Sequence, residues 1–346
     1  MGRPVSAALR RGGVIPAHPL ALSAAGRFDE RRQRALTRYY LDAGAAGIAV
    51  GVHTTQFAIR RHGLYRPVLA LAAETARDWA PKRPVVTVAG VVGPTRQAVR
   101  EAEVAASLGY EVALVSLGGL GRWTDDRLVR HLRAVGEVLP VMGFYLQPAV
   151  GGRLLSYRFW RRIAELPALA AIKIAPFNRY QTIDVIRAVV DAGRHREIAL
   201  YTGNDDNIVA DLLTTFRLPG PDGQSVAVRF AGGLLGHWAC WTRRAVELAR
   251  WCRSPDPATR RRAARLAAAV TDANGAVFDV ANGFAGSIAG IHEVLRRQGL
   301  LASRRCLDPR ETLSPGQGRE IARVCRAYPA LADDEFVASG LSRWLR

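Results

Sequence analysis

Lys173 lies in ALAAIKIAPF (168–177), an otherwise apolar run. The chain carries 49 lysines plus arginines, and only two of them, Lys82 and Lys173, are lysines. Arginine supplies positive charge everywhere else, so a lysine inside an apolar segment points to chemistry that arginine cannot perform. A neutral amine adds to a ketone and loses water, giving a Schiff base that acts as an electron sink. Guanidinium stays protonated and cannot do this. Desolvation favours the neutral, attacking amine. The competing reading is a strand-end lysine that snorkels to solvent or pairs with a carboxylate such as Asp205. Tyr145, at the end of the preceding apolar run, offers a hydroxyl that could shuttle protons at the amine; a satisfied core tyrosine is the alternative. Thr54 and Thr55 pair two hydroxyls with adjacent backbone N–H groups, an arrangement that suits a small carboxylate or simply caps a helix. His18 and His53 can move protons near neutral pH or merely hydrogen-bond in a pocket wall.

These groups need elements to hold them. Apolar, β-rich runs recur at 14–22, 47–53, 84–91, 112–118, 140–146, 169–175, 197–203 and 226–233, each followed by an amphipathic stretch. Continuous apolar strands alternating with helices predict a parallel sheet covered on both faces. Eight such units predict an α/β fold, a (β/α)8 TIM barrel, whose usual size is about 250 residues. No GxGxxG follows the first strand to favour an open, doubly wound sheet. The barrel is expected over residues 1–255, with a C-terminal helical region over 256–346. The stretch 216–225 reads as a Pro/Gly loop before the last strand. In such a barrel, catalytic groups sit at the C-terminal strand ends. That rule collects His18, His53, Thr54, Thr55, Tyr145, Lys173, Asp205, Gly232 and His237.

Composition narrows the class. The net charge of +19 invites a nucleic-acid reading, but the arginines spread along helical stretches without aromatic interleaving, so no nucleic-acid partner is expected. No run approaches a membrane span, so no membrane partner is expected. The first dozen residues read as a short leader, not a signal peptide. Cys240, Cys252, Cys306 and Cys325 form no CxxC pair. No metal cluster or disulfide scaffold is expected, and a reduced cytoplasmic setting fits.

Taken together, these segments resemble the dihydrodipicolinate synthase / N-acetylneuraminate lyase family of class I aldolases. The opening VIPAHPLALSAAGRFDERRQRALTRYYLDAGAAGIAVGVHTTQF (14–57) is similar to that family's first two βα units. LPVMGFYLQPAVGG (139–152) resembles its tyrosine-bearing strand, LAAIKIA (169–175) its lysine strand, YTGNDD (201–206) its following turn, and FAGGLLG (230–236) its final glycine-rich strand. The resemblance covers about residues 12–250. It implies Lys173 as the imine-forming residue and Tyr145 as the proton relay. It further implies Thr54, with Thr55, as the carboxylate anchor for a 2-oxo acid such as pyruvate, and pocket-lining backbone at Gly203 and Gly232. No cofactor or metal is implied; a homo-oligomer, dimer or tetramer, is. The expected partners are a 2-oxo acid and an aldehyde.

Departures from the family pattern point away from dihydrodipicolinate synthase itself. His53 stands in place of a threonine, LGGL (117–120) carries no relay tyrosine, and Val150 replaces the arginine that holds the second substrate's carboxylate. His53, with His18, is the expected substitute in the proton relay. Rival readings are a Schiff-base hydratase or dehydratase, a metal-dependent enzyme using His18, His53, His237 and Asp205, and a non-catalytic binding protein.

Overall fold

The computed structural model describes residues 3–346. Ten strands form in chain order: β1 (Gly13–Pro16), β2 (Gly47–Val50), β3 (Val86–Val91), β4 (Val112–Val115), β5 (Val141–Leu146), β6 (Leu169–Ala175), β7 (Ala199–Thr202), β8 (Phe216–Pro219), β9 (Ser225–Val228) and β10 (Gly232–Leu235). Eight of them pair in parallel in the order β1-β10-β7-β6-β5-β4-β3-β2. A parallel bridge between Ala17 and Ala49 brings β1 back to β2 and closes the barrel. Helices follow the strands on the outside, as a parallel sheet covered on both faces requires. Every residue of β6 is buried, which is why its sequence reads as an uninterrupted apolar run.

Side chains sort by strand alternation. Ile15, Ala49, Val88, Leu114, Met142, Phe144, Ala171, Tyr201 and Leu234 fill the barrel interior, while their strand neighbours join the larger cluster under the helices. The helix Arg3–Arg11 adds Val5 and Leu9 to the interior cluster. The Tyr201 hydroxyl donates to the Leu9 carbonyl at 2.8 Å and ties the helix beneath the strands. Residues read as a short leader thus include a structural plug. Val5 and Leu9 are spaced by four, which puts both on one helical face.

The eighth barrel strand differs from expectation. SVAV at 225–228 pairs antiparallel with FRLP at 216–219, and this hairpin stands outside the barrel. The barrel strand is instead Gly232–Leu235, whose glycines carry little strand propensity but allow close approach. A Cβ on Gly232 would lie 2.0 Å from the Gly13 carbonyl oxygen.

Beyond the barrel, helices Pro257–Arg265, Ala267–Val277, Ser287–Arg297, Gln317–Ala327 and Asp334–Trp344 pack back on it. The Asp333 carboxylate accepts from the Tyr39 hydroxyl at 2.7 Å and the Arg243 backbone N–H at 3.0 Å. Trp344 is fully buried, and its indole N–H donates to Asp42 at 2.6 Å. No helix among the described residues is long and apolar enough to cross a membrane.

Leu9 is fully buried at the barrel base. Leu9→Ala is expected to cost about 2–5 kcal/mol of unfolding free energy, the usual range for a buried leucine. Denaturant unfolding checks this; a change within about 0.5 kcal/mol, typical of surface positions, would show that the helix plugs nothing.

Candidate active site

Strand pairing places the chemistry. Phe144 on β5 pairs with Lys173 on β6, and Lys173 pairs with Tyr201 on β7. All three face the interior. Lys173 is 9% exposed, and its Nζ sits over the Phe144 ring, 4.4 Å from the centroid. No carboxylate among the described residues lies within the 4.0 Å of an ion pair with that amine. Burial lowers its pKa from 10.5 to about 8, with Asp205 opposing the shift. The amine is therefore far more available as a free base than an ordinary surface lysine.

The turn after β7 wraps this side chain. A Cβ on Gly203 would fall 2.7 Å from Lys173 Cε and 2.8 Å from Ala175 Cβ, so only glycine fits beside the lysine. Asn204 locks the turn: its Oδ1 accepts from the Phe177 N–H at 3.1 Å, and its Nδ2 donates to Thr182 at 3.2 Å and Asp211 at 2.9 Å. Thr202 donates to the same Asp211 carboxylate at 2.6 Å, and Arg179 pairs with it from outside. Asp205 follows, 6% exposed, and its Oδ1 has no hydrogen-bond partner. Burial pushes this carboxyl well up; the Lys173 ammonium and the His237 backbone N–H pull the other way.

Across the mouth, the short turn His53–Thr55 follows β2. Burial and then the Lys173 charge lower the His53 pKa to about 4, so the imidazole is neutral at physiological pH and close enough to feel the amine. Thr54 lies against the end of β10, where a Cβ on Gly236 would come 3.3 Å from its Oγ1. Thr55 is committed elsewhere: its hydroxyl donates to the His18 carbonyl at 2.7 Å and accepts from the Gly51 N–H at 3.0 Å. It shapes the turn, and its hydroxyl is not free for a substrate carboxylate.

Three further expectations need correction. Tyr145 neighbours Phe144 on its strand and therefore points outward. Its ring stacks on Trp160 with centroids 5.2 Å apart, and its hydroxyl accepts from the Leu155 N–H at 3.3 Å. A register shift between Val141 and Met142 accompanies this phase, and Phe144 occupies the interior position. The Tyr145 hydroxyl does not approach Lys173. His18 also faces outward, toward Thr37 at 2.9 Å and Gln33 at 3.0 Å, and burial lowers its pKa to about 4. It is a neutral wall residue away from the interior. Gly232 pairs with Gly13 at the strand entry, so it belongs to the barrel base; Gly236 stands at the mouth instead.

Beyond His53 opens a cavity of about 500 Å³ lined by Arg61, Ser116, Val150, Asp308 and Glu311. Ser116, just past β4, supplies a hydroxyl one residue before the LGGL segment. Asp308 and Glu311 come from the chain's C-terminal part, brought in where the Leu307 N–H donates to the Gln56 side-chain oxygen at 2.6 Å. Nothing in local sequence pairs Gln56 with Leu307. A larger cavity, about 720 Å³, lies at the entry of β3 beside Arg11 and Thr87. That is the end where barrel residues serve stability, opposite the catalytic face. Among the described residues no group of three or more His, Cys, Asp or Glu is arranged to hold a metal ion.

Comparison with known proteins agrees with this architecture. The Dihydrodipicolinate synthetase family matches residues 10–234. N-acetylneuraminate lyase of Citrobacter koseri is 25% identical over 204 residues, 58% of this chain and 65% of the relative. A 4-hydroxy-tetrahydrodipicolinate synthase of Anaplasma marginale is 25% identical over 188 residues, 54% of this chain and 58% of the relative. The chain thus spans about three fifths of the length of these curated relatives. The fold of a chloride-inhibited dihydrodipicolinate synthase from Acinetobacter baumannii, solved with pyruvate, superimposes with a TM-score of 0.75. It does so at 19% identity, over 92% of this chain and 99% of that one.

The outward phase of Tyr145 has a direct consequence. Tyr145→Phe removes one hydrogen bond and is expected to cost about 1 kcal/mol of stability, while the reactivity of Lys173 toward an amine-modifying reagent stays unchanged. A collapse of that reactivity in a folded variant would return the hydroxyl to the amine's side of the strand.

Proposed function

Because the chain belongs to the dihydrodipicolinate synthetase family, we propose that it is a Schiff-base-forming class I lyase that joins or cleaves a 2-oxo acid, such as pyruvate, and an aldehyde. The observation that carries this reading is the desolvated Lys173 amine, held without an ion pair at the catalytic end of the barrel. A buried, partly deprotonated lysine is the nucleophile such chemistry needs.

The neutral amine attacks the C2 ketone of the 2-oxo acid. Phe144 forms an apolar wall beside the new carbon–nitrogen bond and keeps water from it. In this reading the Thr54 hydroxyl, rather than the committed hydroxyl of Thr55, binds the substrate carboxylate. Loss of a C3 proton turns the iminium into an enamine, which attacks the aldehyde carbon; cleavage runs the same steps backward. His53 lines the cavity where the aldehyde would sit. As a neutral imidazole it serves as hydrogen-bond donor or proton acceptor at the aldehyde oxygen. A hydratase or dehydratase shares the imine. The 500 Å³ of space beyond His53 favours a second carbon substrate over water alone.

Val150 gives this cavity an apolar lining residue where dihydrodipicolinate synthase would place an arginine, and Arg61, Asp308 and Glu311 line it as well. The aldehyde is therefore proposed to differ from that of the synthase. We also propose a cytoplasmic homo-oligomer, in keeping with the family and the free cysteines.

Pyruvate with borohydride tests the reading. A reduced adduct is expected on Lys173 and absent from Lys173→Ala. The rate of attack should rise as pH climbs through about 8, where the amine loses its proton, and level off above it. No adduct under conditions that label a known class I aldolase would refute the proposal.

A further inference from the structure

Phe144 leaves the imine chemistry at Lys173 without a proton carrier on β5. The interior position that pairs with the lysine holds a hydrocarbon ring, and Tyr145 points away from it. Imine formation nevertheless needs protons moved at nitrogen and at oxygen. Resting on the reading of Lys173 as the imine-forming residue, we propose that Asp205 is the acid–base catalyst of imine formation and enamine generation in this chain.

The geometry selects it from among its neighbours. Asp205 is buried, and its Oδ1 has no partner in the folded chain. An unpaired buried carboxylate oxygen carries a desolvation cost that a ligand or a proton relieves. It is near enough to Lys173 for each to perturb the other, yet farther than the 4.0 Å of an ion pair. Gly203, two residues before it on the same turn, lies directly against the lysine stem. The Asn204–Thr202–Asp211 lattice fixes the turn that carries it. His237 contributes its backbone N–H to Asp205, while its ring lies against Trp241 and Phe278 at 5.8 and 6.5 Å between centroids. His53, after β2, lines the 500 Å³ cavity and feels the amine's charge. The charged groups that perturb Asp205 are Lys173 and the adjacent Asp206, and the neighbouring His237 carries a buried, unpartnered Nδ1 of its own. Its raised pKa agrees with a group that both gives and takes a proton near neutrality.

The steps balance. As the amine attacks, the C–N bond forms and the carbonyl π pair moves to oxygen. Asp205 begins in its acid form and gives its proton to that oxygen, and the resulting carboxylate takes one proton from nitrogen, giving a neutral carbinolamine and the acid again. Asp205, in its acid form, then protonates the hydroxyl. The C–O bond breaks, water leaves, and the nitrogen lone pair closes the C=N bond of an iminium that keeps its one N–H. The resulting carboxylate takes a proton from C3, and the C–H pair becomes the enamine double bond. Asp205 ends protonated, ready for return.

Asp205→Asn tests this with a sign that separates catalysis from charge tuning. The Asp205 charge raises the Lys173 pKa. A residue that only tuned charge would, once neutralised, leave more free amine at pH 7, and pyruvate trapping would speed up. Loss of a proton carrier slows it, by about 100-fold or more. The rate of borohydride-trapped adduct formation at pH 7, read by intact mass, decides. Slowing in a variant that still unfolds cooperatively supports the assignment; equal or faster trapping overturns it. Formate should restore trapping to Asp205→Ala in proportion to its concentration, and no restoration overturns the assignment as well. A parent chain that forms no adduct refutes the imine reading itself. A parent adduct with an unaffected Asp205→Asn refutes only the role of Asp205.

Discussion

Holding an ammonium inside a barrel costs several kcal/mol unless it is paired, and Lys173 has no carboxylate within ion-pair distance. The chain meets this constraint by lowering the amine's pKa to about 8, so that it gives up its proton far more readily than a surface lysine. The Phe144 face, which attracts cations weakly, is a small compensation, and Asp205 offers attraction only at longer range. Many local features serve this one condition. The helix Arg3–Arg11 closes the base with Val5 and Leu9, and the interior from Ile15 to Leu234 is packed with hydrocarbon. Gly203 gives up its side chain so that the next turn can lie against the lysine stem.

Two buried polar lattices hold the mouth in register around that amine. One runs through Asp211, fully buried and shared by Thr202, Asn204, Asn207 and Arg179. The other centres on Arg60, which donates to both oxygens of Glu101 at 2.9 and 2.8 Å and to the carbonyls of Gly51 and Gly90. It stacks on Tyr65 at 4.6 Å as well. The first lattice aims Asp205 and the second anchors the ends of β2 and β3, and with them the His53–Thr55 turn. Each is nearly saturated with partners, which is how buried polar groups stabilise and rigidify. Against that background the Oδ1 of Asp205 is unpaired, as is the Nδ1 of the neighbouring His237.

The barrel and its lysine were legible because both follow from local pattern. The run LAAIKIA is buried on both faces and reads as a strand with the bounds observed. The eighth strand was not legible: SVAV has the stronger strand propensity, yet close approach to β1 selects GGLL. Tyr145 was misplaced for a different reason. The end of the apolar run and the resemblance of 139–152 to a tyrosine-bearing strand both select Tyr145, but which of two adjacent aromatics faces inward depends on register with β6, a long-range fact. His18 was ambiguous because Gln33 and Thr37, one turn apart on the next helix, claim its ring only in three dimensions. Asp308 and Glu311 carry no local signal for the mouth, since they reach it through the contact between Leu307 and Gln56.

The account rests on an amine that burial has made nucleophilic, and the scarcity of lysine makes that directly observable. Labelling lysine side chains with 15N or 13Cε gives only two sets of resonances, from Lys82 and Lys173, and Lys82→Arg assigns them. The Lys173 signal is expected to titrate well below the ordinary lysine value of 10.5, with a midpoint near 8. A midpoint at or above 10.5 would mean a fully protonated, solvated or paired ammonium, and would contradict the account at its centre.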